Sequence, residues 1–149
     1  MSKMRISIRY LIDTAEGSFL KKDFLEAFLT QSCLIEGALR DYAIFKLPAY
    51  AIKNPEIKRK ITNTSLSELT DMLFLSRAIP EDLFNDLNAY RKKRNAVMHR
   101  LLKYKSHDEL NEDLIRAYKM GKKMGHFIIE GVVKELEKLR ARKEPQNLK

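Results

Sequence analysis

The sequence predicts an all-α fold, on three observations. Apolar residues recur at spacings of three and four along most of the chain. Turn residues are scarce, with five Gly and four Pro in 149 residues, where an all-β domain would need a turn every 8–12 residues. Two capping boxes, Ser65-x-x-Glu68 and Ser106-x-x-Glu109, stand directly ahead of apolar runs. Together these predict a compact bundle of four to five helices. The length suits one hydrophobic core, and the apolar content of 44% suits a globular chain.

Taken in order, Ile8, Leu11, Ile12, Ala15 and Phe19 form the first helical stripe. Ile6 and Ile8 are also compatible with a short strand, and Gly17 marks a potential break. Phe24, Phe28, Ile35, Leu39 and Tyr42 carry a second helix to about Lys46. Pro48 and Pro55 then enclose a basic stretch, Leu47 to Thr64, that lacks periodicity and reads as a loop. Ser65 and Glu68 open a helix bearing Leu66, Leu69, Met72 and Leu73. Pro80 suits the first turn of the next helix, with Glu81 and Asp82 at its positive end, and this helix is expected to reach about Tyr104. Ser106 opens a long final helix from Leu110 through Leu139, in which Gly121 and Gly125 allow close approach of a neighbour. The expected organisation is a single helical domain over 1–140 and a basic, disordered tail over 141–149.

Several classes are excluded or disfavoured. No apolar run approaches the ~20 residues of a membrane span, so no membrane partner is expected. Met1 to Ile12 is broken by Arg5 and Arg9 and does not read as a signal peptide. The sequon Asn63-Thr64-Ser65 therefore carries no weight. A single cysteine, Cys33, allows no internal disulfide or Cys-rich zinc site, and His99, His107 and His126 have no ligand spacing. No metal and no cofactor are expected, and a reducing cytoplasm is the expected compartment.

The net charge is +9 and unevenly spread. Residues 1–74 contribute +2 and residues 75–149 contribute +7. From Arg91 to Lys105 seven basic side chains occur with no acidic one. Such density is an electrostatic footprint for polyphosphate, although a basic run is also ordinary on a solvated face.

The helix from Glu81 carries the chemistry. At about 100° per residue, Leu83, Leu87, Tyr90, Val97 and Leu101 share one face, with Phe84, Met98 and Leu102 at its edges. Arg94 falls at the centre of that face. A guanidinium cannot be deprotonated, so burying it unpaired is expensive. Glu36 on the second helix is the expected partner, with Asp41 as the other candidate. Asn88, Lys92, Asn95 and His99 form a polar stripe beside the apolar face. Arg94 and His99 point about 140° apart around one helix. Metal-free RNA cleavage needs a proton acceptor for the 2′-OH and cationic donors for the developing phosphorane charge. Histidine as a residue type titrates near neutrality, and arginine offers fork-shaped phosphate contacts. A lone helical histidine is nonetheless more often structural, and a central arginine can be a plain packing ion pair.

Arg94-Asn95-Ala96-Val97-Met98-His99 resembles the Arg-x(4–6)-His motif of HEPN domains in its Arg-Asn-x-x-x-His form. The resemblance implies a helical bundle that dimerises, with two motifs facing each other in a composite site. It implies a metal-independent endoribonuclease of the toxin–antitoxin or anti-phage defence type, acting by 2′-OH attack and leaving a 2′,3′-cyclic phosphate. Arg94 would contact the scissile phosphate, His99 would transfer protons, Asn95 would assist, and Glu36 would support the site. Arg91, Lys92, Lys93, Arg100 and Lys103 would hold RNA. The resemblance also implies a cognate antitoxin or regulatory protein as a further partner. In toxins paired with a minimal nucleotidyltransferase a Tyr follows the His by two residues; here that position is Leu101. The alternative is a non-catalytic helical module that binds a nucleotide or a protein partner. A third reading is a structural adaptor in which Arg94 and Glu36 only pack.

Overall fold

The structure is a computed structural model that describes residues 8–143, and every regular element among them is a helix. The elements are α1 (Ile8–Leu20), α2 (Phe24–Lys46), α3 (Ala49–Ile52), α4 (Pro55–Asn63), α5 (Leu66–Leu75), α6 (Glu81–Arg100) and α7 (His107–Lys143). The bundle thus has six helices of two turns or more and one single turn, against an expected four to five. The extra elements lie in the segment expected to be a loop.

That segment folds because its start is well capped. Asn54 accepts hydrogen bonds from the amides of Glu56 and Ile57, and Pro55 occupies the first turn of α4. Ile61 is buried and Ile57 packs against the main core, four positions apart on one face. Two apolar residues in nine are too few to reveal a period, yet enough to seat a short amphipathic helix.

Two helices end in a left-handed residue that is not glycine. Lys22 and Arg77 adopt left-handed backbone, with φ of 64° and 59°. Around Lys22, the Asp23 amide donates to Ser18 O and the Lys22 amide to Phe19 O. Around Arg77, the Ala78 amide donates to Leu73 O and the Arg77 amide to Phe74 O. Both are Schellman motifs with a strained side chain at the left-handed position. Gly17, expected as a break, lies inside α1, which continues to Leu20. The alternative of a strand starting at Ile8 is corrected to helix there, while Ile6 lies outside the described residues.

The first capping box forms in both directions: Ser65 Oγ accepts from the Glu68 amide, and Glu68 accepts from the Ser65 amide. The second forms only halfway. Ser106 Oγ accepts from the Glu109 amide, but the Glu109 carboxylate turns to the Lys105 amide and to Arg100. Pro80 sits one position before the first residue of α6 rather than in its first turn. At the other end α6 stops at Arg100, four residues short of Tyr104. The final helix passes Arg140 and reaches Lys143, so the first residues assigned to a tail are helical; residues 144–149 lie outside the described residues.

α2 and α7 run parallel, side by side. Phe28 packs near Leu114 and Ala117, Gln31 meets Tyr118, Ile35 meets Gly125, Tyr42 meets Gly131, and Lys46 pairs with Glu135. The close approach rests on glycine. A Cβ at position 121 would overlap the Gln31 carboxamide and lie 3.0 Å from the Tyr90 ring, while one at 125 would lie 3.4 Å from Ile35. α6 folds back along α7, and the main core gathers residues of α2, α4, α5, α6 and α7, including Ile35, Leu39, Leu69, Leu87, Tyr90 and Ile128. Tyr90 is 1% exposed and shares a 2.9 Å hydrogen bond with Ser32 at the α2–α6 contact.

Candidate functional site

α6 owes its position to Leu87, Tyr90 and Val97, each 1% exposed, at three- and seven-residue spacing. Leu83 and Phe84 pack at the edge of the same core. The apolar face expected from the sequence narrows toward the C-terminal end, where Met98 is 43% and Leu102 98% exposed. Leu101 lies just past the helix as its C-cap.

Arg94 lies where this face meets α2. Its Nη2 donates to Glu36 Oε2 at 3.3 Å. The other oxygen, Glu36 Oε1, lies 2.7 Å from Arg40 Nη2. Arg40 Nη2 also donates to Thr64 O at 2.9 Å. One carboxylate therefore faces two guanidinium groups, and the chain of contacts runs from α6 through α2 to the end of α4. The side chains of Arg94 and Glu36 are 27% and 25% exposed, so the pair is only partly removed from water. A guanidinium has five N–H donors, so its bond to Glu36 leaves Arg94 others for a ligand.

Arg40 was not singled out from the sequence. The Glu36-x-x-x-Arg40 spacing places the two on one side of a helix and was the available signal. The carbonyl of Thr64 had none, because its role depends on where α4 ends.

His99 is exposed on the last turn of α6, and Asn95 is half-buried one turn before it. The structure does not bring Arg94 and His99 together within one chain. Five helical residues separate them by about 7.5 Å along the axis and about 140° around it.

The basic side chains divide into two groups. Lys93 Nζ lies 2.7 Å from Asp113 Oδ1, and Arg100 lies 3.6 Å from Glu109 and over the ring of Tyr104. Arg91 is half-buried and donates to Asn88 Oδ1 at 3.5 Å. Lys92 and Lys103 are exposed and form no ion pair among the described residues.

A second cluster closes the turn between α6 and α7. The Tyr104 hydroxyl donates to Asp113 Oδ2 at 2.8 Å, so Asp113 takes Lys93 on one oxygen and Tyr104 on the other. The hydrogen bond from Lys93 holds the Asp113 carboxyl below its ordinary value, against the opposing effect of burial. Burial, then the bond to Asp113, pushes the Tyr104 phenol up to about 12.

Among the described residues, no group of three or more His, Cys, Asp or Glu side chains is placed to hold a metal ion. No described helix is long and apolar enough to cross a membrane. The chain matches no protein-family model, no curated protein and no solved structure.

Proposed function

We propose that the chain is a metal-independent endoribonuclease of HEPN type that works as a homodimer. The observation that carries this reading is the arrangement on α6: Arg94, partly exposed and oriented by Glu36, followed five residues later by an exposed His99. The proposed roles are phosphate contact for Arg94, proton transfer for His99 and a polar assist from Asn95. Glu36 is a positioning residue that restricts the guanidinium before RNA arrives. The 140° offset is compatible with catalysis if Arg94 of one protomer works beside the partner's His99. RNA is the proposed substrate, in a toxin–antitoxin or anti-phage role, with a cognate antitoxin or regulator as a further partner. Lys92 and Lys103 are the proposed backbone contacts, as their ammonium groups are not committed to an acid within the chain.

One observation favours the readings without catalysis: Arg94 is already engaged by a carboxylate, as the packing ion pair of a structural adaptor would be. The deciding experiment incubates the purified protein, with EDTA, against end-labelled RNA beside His99→Ala. Cleavage by the wild type alone, leaving cyclic-phosphate ends, with RNA binding retained by the variant, is the expected result. Equal cleavage by both, or by neither at protein concentrations where dimers form, refutes the proposal and leaves the binding module.

A further inference from the structure

The Glu36 carboxylate serves two cations unequally. Its Oε1 lies 2.7 Å from Arg40 Nη2, whereas its Oε2 accepts from Arg94 Nη2 at 3.3 Å. Charge-assisted N–H···O bonds run at about 2.7–2.9 Å, so the contact with Arg94 is loose. Arg40 is the more firmly held of the two. Its Nη2 also donates to Thr64 O, at the C-cap of α4, at 2.9 Å, and its Nε is buried. Glu36 and Arg40 stand four residues apart on α2, so one side of one helix presents both.

The free donors differ accordingly. Each Nη group carries two N–H bonds. Arg40 Nη2 already faces two acceptors, Glu36 and Thr64 O. Arg94 Nη2 faces one, and Arg94 Nε and Nη1 form no hydrogen bond among the described residues and are not buried. Arg94 therefore keeps a two-donor edge: its second Nη2 N–H, beside either Nε or Nη1. Such an edge matches two oxygens of a phosphate.

Charge leads to the same place. Two guanidinium groups and one carboxylate leave a net positive charge, and the accessible edge belongs to Arg94. Without Arg40 the trio becomes a neutral pair. The released Oε1 is then free to turn onto Arg94 and close a fork with both oxygens, the strongest arrangement open to a carboxylate and a guanidinium. Arg94 would become a plain packing ion pair.

We propose that Arg40 is a positioning residue of this site: by holding one oxygen of Glu36, it keeps Arg94 from being neutralised and leaves the Arg94 donor edge free for a phosphodiester. The identity of that ligand rests on the RNA-cleavage reading, whereas the competition for Glu36 does not.

The test is a double-mutant cycle on Arg40→Met and Glu36→Gln, with two readouts. One is the Nε–H signal of Arg94 in nuclear magnetic resonance spectra, identified by its loss in Arg94→Lys and followed during titration with inorganic phosphate. The other is kcat and KM for cleavage of end-labelled RNA with EDTA present. Arg40→Met should weaken phosphate binding at Arg94 and lower kcat, each about tenfold, the worth of one hydrogen bond to a charged group. KM should change little, because Lys92 and Lys103 still hold the RNA. In the Glu36→Gln background the same substitution should leave both readouts nearly unchanged, since no carboxylate remains to be released. Arg40→Lys keeps a cation within reach of Glu36 and should behave as the wild type. Equal losses in both backgrounds would mean that Arg40 acts by its own charge, and would overturn the proposal. So would a loss confined to KM, or a wild-type Arg94 signal that phosphate does not move. Should Arg40→Met fail to fold, Arg40→Gln takes its place in the cycle with the same outcomes. Absence of cleavage by the wild type refutes the RNA-cleavage reading alone, and the phosphate titration still decides the role of Arg40.

Discussion

Glu36 Oε2 lies 3.3 Å from Arg94 Nη2, joining two helices through residues 58 positions apart. Because Glu36 Oε1 also holds Arg40, loss of this one carboxylate leaves two guanidinium groups facing each other. Glu36→Ala is expected to cost about 1–2 kcal/mol, below the range for a fully buried pair because both side chains are about a quarter exposed. Urea denaturation measures this. Arg94→Leu combined with Glu36→Leu should recover most of the loss. If the double variant is no more stable than Glu36→Ala, the ion pair is not what destabilised the single one.

Glycine substitutions should change sign with position. Nothing lies within 4 Å of a Cβ built at Gly17 or Gly37. Alanine there should stabilise by about 0.5–1 kcal/mol through helix propensity. At Gly121 the same change would overlap Gln31 and crowd Tyr90, and should destabilise by about 1–3 kcal/mol. Thermal denaturation of the three variants tests the contrast, which fails if Gly121→Ala melts at or above the wild-type temperature.

The two left-handed helix ends predict the reverse exchange. Lys22→Gly and Arg77→Gly should each stabilise by about 0.5–1 kcal/mol, because glycine has no Cβ to strain at φ near 60°. A loss of stability in both variants would show that the side chains contribute more than the backbone strain they carry.

The Tyr104–Asp113–Lys93 cluster should set two pH limits. The Asp113 carboxyl is lowered in the folded state, so its contribution is present above the ordinary carboxylate value near 3.9 and fades as acid takes the pH through the lower folded value. The Tyr104 phenol is raised, so its contribution is full below the ordinary value near 10 and fades as pH climbs through about 12. Denaturation across pH, compared with Asp113→Asn and Tyr104→Phe, should show both slopes shrink in the matching variant. Ultraviolet titration should lose one late-ionising phenol in Tyr104→Phe. Unchanged slopes would mean the cluster does not hold the α6–α7 turn.

RNA binding, where measured, should divide the basic residues. Lys92→Ala and Lys103→Ala should each lower the salt slope by about 0.7, the single-strand value per phosphate contact. Lys93→Ala should act on stability instead, since its ammonium is held by Asp113. Equal slopes for all three variants would reject the division.

Much of this molecule was legible in its residues. The periodic stripes of α1, α2, α6 and α7 specified helices, because burying an apolar face demands that spacing. Ser65-x-x-Glu68 marked the start of α5 through purely local bonds. An arginine within an apolar stripe called for either a wet face or a carboxylate, and Glu36 was a candidate because its helix was equally apolar; the structure shows both, with the pair about a quarter exposed. Other features depended on neighbours distant in sequence. α4 has too few apolar residues to announce itself and forms where Ile57 and Ile61 find the core. Helix ends at Lys22 and Arg77 are imposed on residues that do not favour them. Whether Lys93 faces solvent or Asp113 and whether Glu36 holds one arginine or two are decided by packing. Sequence determines local periodicity and charge; only the tertiary structure decides which charges meet, because pairing depends on distances that the spacing along one helix does not contain.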